Sequence, residues 1–376
     1  MKATRRYAAG LAAIVTASIT GVAGLLAGTA GSASASGFPA FVGPLHRISV
    51  IASTVPGNGD VNPYGVAVIP RTTGNLVRGN VLVSNFNNKA NVQGTGTTIV
   101  EVTPSGKTSV FAQIDRNLPS CPGGVGLTTA LTALRSGWVI VGSLPTQNGA
   151  ISGPGCLIVL DRFGHVQETF TGSGINGPWD MTSLDLGNQA VLFVTNVLNG
   201  TVAANGRTVF GGTVLRLVVK IPQFGLPFIW FNTTIGSGFP QALNSAALVI
   251  GPTGVGLGPN GVLYVADTLD NRIAGIPNAL FRGSSAGAGF TVSHGHNLVG
   301  PLGLVIAPNG NILTVNGGNG NLVEVTPSGA QIAVRGLDSS GSPPGAGALF
   351  GLAVKPGQDA VYYVDDATNT LNLLHQ

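Results

Sequence analysis

Within the stretch GPNGVLYVADTLDNRI (258–273), two carboxylates, Asp267 and Asp270, lie within four residues of each other. Only 9% of the chain is charged, against about 25% in ordinary domains, so such a pair is a first candidate for chemistry. Asp267 closes the apolar segment LYVAD, and the residues closing the comparable segments are Asn85, Ser143, Asn196, Asn316 and Asp366. Carboxylate and amide oxygens suit a hard cation such as calcium, to which Asp180, beside Trp179, would add a third carboxylate. His294 and His296 are spaced to place both rings on one side of a strand, as a zinc site requires, but spacing identifies no third ligand. Both sets also have a plainer reading. Asn, Asp and Ser at strand ends bond nearby backbone N–H groups and shape turns, and the histidines fit a polar loop. Asp270 belongs to the turn after Asp267, where other units have Asn88, Thr146, Asn199, Asn319 and Asn369. No nucleophile elbow is present, and Gly-rich pieces such as GGNGNL open no helix that would cradle a phosphate.

The elements that position these residues repeat. EVTPSG occurs at 101–106 and again at 324–329, each time after an apolar pair. GVAVIP (65–70), GVGLGP (254–259), GLVIAP (303–308) and GLAVKP (351–356) share a glycine, a short apolar strand and a proline stop. GLTTAL from Gly126 and WDMTSL from Trp179 are looser copies. Each is followed by an apolar strand, and the units start 61, 53, 75, 49 and 48 residues apart. A four-stranded unit cannot bury both of its faces alone, whereas a ring of them can. The reading is therefore all-β: a six-bladed propeller of four-stranded blades. The last unit has three strands, and the orphan strand HRISVIA (46–52) is expected to supply its fourth and close the ring. A seventh blade would have to hide in the long 179–254 unit, whose extra material reads as a loop insertion plus a normal outer strand.

Residues 1–35 read as an export signal: Lys2, Arg5 and Arg6, an apolar stretch, then Ala33-Ser34-Ala35. The remaining 36–376 form a single expected domain. Removing the leader takes three of the 18 basic residues and no acid, leaving 15 against 14, a net charge of +1. No basic cluster remains to bind nucleic acid, and no later segment is apolar enough to span a membrane. Cys121 and Cys156 are expected to form a disulfide in an exported chain.

GVGLGPNGVLYVADTLDNRIAGIP, with its P-N-G turn, Y-V-A-D and D-N-R-I, resembles an NHL repeat. The resemblance is fullest over 254–273 and looser in the other units. It implies a secreted propeller in a group that includes binding modules, lactonase-type hydrolases, streptogramin lyases and peptidyl-amidoglycolate lyases. It also implies that binding occurs on the upper face, where second strands end and first strands begin. Tyr64, Trp179, Asp180 and Phe350 are the ligand candidates there, beneath long loops from the first three units. Lactonase-type relatives hold a divalent metal with Glu, Asn and Asp, whereas Glu101, Glu168 and Glu324 here fall on third or fourth strands. The expected function is binding of a glycan, peptide, small molecule or protein by a monomer. The alternative is a lyase or hydrolase assisted by calcium or zinc.

Overall fold

In a computed structural model, the structure describes residues 39–147, 149–245 and 247–376. The export signal at 1–35 lies outside the described residues. The chain forms a six-bladed β-propeller, and each blade is an antiparallel sheet numbered outward from the axis. Blade I comprises Val61–Val68, Val81–Asn87, Thr98–Val102 and Thr108–Gln113. Blade II comprises Leu131–Ala133, Val139–Ser143, Cys156–Leu160 and Val166–Phe170. Blade III comprises Pro178–Asp185, Gln189–Asn196, Val209–Lys220 and Phe228–Asn244, with Leu248–Ile250 folded back as a fifth strand. Blade IV is Pro252–Leu257, Leu263–Asp267, Arg272–Ile276 and Phe290–His294, and blade V is Pro301–Ile306, Ile312–Asn316, Asn321–Val325 and Gln331–Gly336. Blade VI joins Leu349–Val354, Val361–Asp365 and Thr370–His375 to Arg47–Ser53 from the start of the domain.

The closure follows the sequence expectation, with Arg47 paired to His375 and Ser53 to Thr370. The long third unit holds no seventh blade. Its extra residues lengthen the third and fourth strands to 12 and 17 residues. Blade II departs from expectation. Its inner ladder begins at Leu131, not at Gly126, which precedes an isolated bridge from Leu127 to Leu144.

Alternating Val, Ile and Leu on both faces of each sheet give one hydrophobic cluster between every pair of neighbouring blades. In four of the six blades the inner strand passes so close to its neighbour that no side chain fits at one position. A Cβ added at Gly254 would overlap the Leu302 carbonyl, one at Gly303 the Phe350 carbonyl, and one at Gly351 the Tyr64 carbonyl. A Cβ at Gly65 would sit 2.7 Å from both the Thr129 carbonyl and the Leu131 side chain. Each glycine thus lets its strand rest on the backbone of the next blade.

Glu324 fastens the start of the domain. Fully buried, it accepts hydrogen bonds from the backbone N–H of Phe41 (2.9 Å) and Val42 (2.8 Å) and from the Asn311 amide (2.7 Å). Phe41, Val42 and Leu45 then pack into the cluster between blades V and VI. Glu101, in the other EVTPSG copy, accepts from Asn80 at 2.6 Å, so the repeated glutamate is a structural clamp. Cys121 and Cys156 are disulfide-bonded, tying the approach to blade II to its third strand. Closing that loop contributes about 3 to 4 kcal/mol. Glu324→Ala strands two backbone donors and is expected to cost about 3 kcal/mol in a denaturant melt, with proteolysis opening first near residues 39–45.

Candidate functional site

Register decides which side chains share a position. Pro63 pairs with Asn85, Pro178 with Asn196, Pro252 with Asp267, Pro301 with Asn316 and Leu349 with Asp365. The blade VI member of the ring is therefore Asp365, and the expected Asp366 lies one residue further, in the turn. Both letters of the D-D pair fit a strand end, and only the ladder separates them.

These residues are buried and mostly engaged with the segment entering their own blade. The Asn85 amide donates to the Thr54 carbonyl (2.7 Å), and the Asn316 amide donates to that of Asn297 (2.6 Å). Asn196 Oδ1 accepts from Asn176 N (2.8 Å), and Ser143 Oγ accepts from Gly126 N (3.0 Å). Asp267 Oδ2 accepts from Arg272 Nη2 (2.6 Å) and Nε (3.0 Å). Burial pushes the Asp267 carboxyl up to about 6 against the pull of Arg272. Asp366 reaches about 7 through burial and then the neighbouring Asp365 charge, and the Asn62 amide, oriented to satisfy its surroundings, donates to it at 2.7 Å. The ring is thus a set of loop anchors, each facing its own blade, rather than a set of donors aimed at one point. Among the described residues, no three His, Cys, Asp or Glu side chains gather as metal ligands would. His294 and His296 are exposed at the outer strand of blade IV; His294 pairs with Arg272, the partner of Asp267, and Asn297, next to His296, accepts from the Asn316 amide.

The aromatic candidates do come together, but they meet one another. Each inner strand bulges just before its axial residue. This turns Tyr64, Trp179 and Phe350 inward across the upper end of the channel. Trp179 Nε1 donates to the Tyr64 hydroxyl at 2.9 Å, and the Tyr64 ring lies 5.3 Å from that of Phe350 and 5.9 Å from that of Trp179. Phe86, which the sequence did not single out, completes the group. All four are buried, and Ile151 from blade II and Ala247, Leu248 and Ile250 from blade III pack against the cluster that contains them. Tyr64, Trp179 and Phe350 are therefore a plug below the upper face, not a surface open to it.

Beneath the plug lies a channel cavity of about 250 Å³ lined by the inner strands. Asp180 is the departure from its pattern. It stands one residue after Trp179, where blades I, IV, V and VI place the axial glycines Gly65, Gly254, Gly303 and Gly351 and blade II places Ala130. Its Oδ1 accepts from Met181 N at 2.7 Å. Burial pushes this carboxyl up to about 8, opposed by the Met181 bond, and burial followed by the Asp180 charge raises Tyr64 well above the ordinary phenol range. Asp180 can thus hold a proton at neutral pH and present one carboxyl to the channel.

No protein-family model and no curated protein matches this sequence. Solved structures do match in fold. The chain is similar to a catalytically inactive virginiamycin B lyase from Staphylococcus aureus crystallised with quinupristin, at 14% identity and a TM-score of 0.51, covering 88% of this chain and 99% of that one. It is similar to the calcium-binding protein regucalcin from Agrobacterium tumefaciens, at 14% and 0.51, over 86% and 93%. It is also similar to the PQQ-bound aldose sugar dehydrogenase of Streptomyces coelicolor, at 15% and 0.54, over 87% and 98%. At such identities the likeness shows the propeller alone.

Asp180 generates a pH test. A carboxyl raised from about 4 unfolded to about 8 folded makes the native state hold the extra proton, so its stability is lost as pH rises through that window. Asp180→Asn should match the wild type in Tm near pH 4 and exceed it by several degrees near pH 9. Parallel curves across this range would show that the carboxyl does not titrate as described.

Proposed function

We propose that the chain is an exported, NHL-type propeller that works as a binding module through its upper face. One observation carries this reading: an apolar groove of about 390 Å³ between the upper loops of blades II and III. Ile151, Val202, Leu243 and Leu248 line it, with Ser245 at its edge. The aromatic plug holds its floor, because Ile151 and Leu248 pack against that cluster. The walls are tied to the frame: Thr146 Oγ1 donates to the Gly94 carbonyl of the blade I loop, and Gln241 Nε2 donates to the Asn199 carbonyl at 2.6 Å. Among the described residues no ionisable group lines the groove, so its chemistry suits an uncharged apolar peptide segment or small apolar molecule. N-acetyl-leucinamide, a minimal apolar peptide probe, should shift amide NMR signals at 149–151, 202 and 243–248. Val202→Asp should weaken that binding by at least about tenfold, since it sets a charge against an apolar ligand. Shifts that map elsewhere would remove the groove from the reading.

A second reading rests on Asp180. A carboxyl that burial lets hold a proton, in a channel whose other polar lining residues are Tyr64, Thr132, Thr182 and Ser183, has the make-up of an acid–base group, and the fold neighbours include a lyase and a dehydrogenase. Metal assistance would require a cation at this carboxylate. Calorimetric titration with calcium above pH 8 is expected to show heat that Asp180→Asn abolishes. Equal heats in both proteins would leave the binding-module reading alone.

A further inference from the structure

The lower face of blades II and III carries large apolar residues that neither the core nor the upper-face groove uses. Four turns meet there around one cleft of about 580 Å³: one carries Trp138, and the other three carry Asp161, Arg162 and Phe163, then Gly187, then Ile221 and Gln223. Their tips expose Phe163, Leu186, Phe224 and Leu226, with Phe224 86% exposed. The fourth turn, IPQFGLP, leaves its hairpin at the Lys220–Phe228 pair, and the outer strand behind it continues with exposed Phe228, Trp230 (64%) and Phe231. No charged residue occurs between Lys220 and Asp267, so this hairpin offers no charge pattern for a protein partner to read. Cations instead stand beside the rings: Lys220 Nζ lies 4.3 Å from the Trp230 ring centre, and Arg162 Cζ lies 5.1 Å from that of Phe163.

We propose that this face docks on a lipid bilayer, with the Phe224–Leu226 tip in the acyl boundary and Trp230 at headgroup level. Exposed apolar turn residues, an exposed tryptophan on the strand behind them and cations beside the rings match what an interface between hydrocarbon and headgroups favours. The charged ends of Lys220 and Arg162 sit over the Trp230 and Phe163 rings, where they can meet anionic headgroups. A glycan would need an open aromatic face to stack on, and the ammonium of Lys220 occupies one face of Trp230. The same surface could serve as an interface between copies of this chain, and the test separates the two.

Purified protein is sedimented with sucrose-loaded vesicles of phosphatidylcholine containing a minority of phosphatidylglycerol, and in parallel without lipid at the same concentrations. Wild-type protein is expected in the vesicle pellet, with tryptophan emission shifted to the blue and the shift absent in Trp230→Phe. Phe224→Asp combined with Leu226→Ser should lower the partition by at least about tenfold while leaving the melting temperature unchanged, because both side chains project into solvent. Vesicle-free wild type, or partition that the double variant leaves intact, overturns the proposal. Lipid-independent self-association that the same variant abolishes would also overturn it, by assigning the face to a second copy.

Discussion

The close passage of six inner strands at one axis is the constraint on which the rest depends. Strands that rest on each other's carbonyls leave no room for a Cβ, so Gly254, Gly303 and Gly351 set how tightly the ring can close. Tight closure brings adjacent blades into contact along their full faces and creates the six inter-blade clusters that hold the domain. It also forces the residue before each axial position to turn upward or inward. Tyr64, Trp179 and Phe350 then meet as a plug instead of lining an open mouth.

Against this background Asp180 is the one place where the axial rule is broken by a charge-bearing side chain. Its carboxyl costs stability where it ionises, since burial opposes the charge and, among the described residues, only the Met181 N–H offsets it. The carboxyl faces the channel, whereas the apolar groove lies above the plug. The two are separated by the aromatic layer. This separation keeps the proposed surface groove apart from the Asp180 carboxyl beneath the aromatic layer.

Much of the fold was legible because a propeller repeats its grammar. The glycine–apolar–proline segments, the two EVTPSG copies and the orphan strand at 46–52 located all six blades and the closure, which runs over 47–53. The candidate site was less legible. Its residue types were found, but two roles were misplaced. Asp366 was selected where the ladder assigns Asp365, since a one-residue count cannot be settled inside a D-D pair. Tyr64, Trp179 and Phe350 were read as facing a ligand because the inner-strand bulge that turns them toward each other has no sequence mark beyond a proline in some blades. Phe86 and Arg272 were missed as partners, although Arg272 lies within the motif that carries Asp267.

The sequence by itself determined the architecture, the blade count, the cysteine pair and the turn chemistry of the Asn-rich strand ends. Those depend on local periodicity and on residue types that have few conformational alternatives. Only the tertiary structure decided that the ring residues anchor loops, that the aromatics form a closed layer and that Asp180, among the described residues, is the one acid lining the channel. These outcomes depend on distances between blades that are more than fifty residues apart in the chain, as with the Trp179–Tyr64 bond across 115 positions. Such distances are set by how closely the backbones pack at the axis, and no single repeat records them.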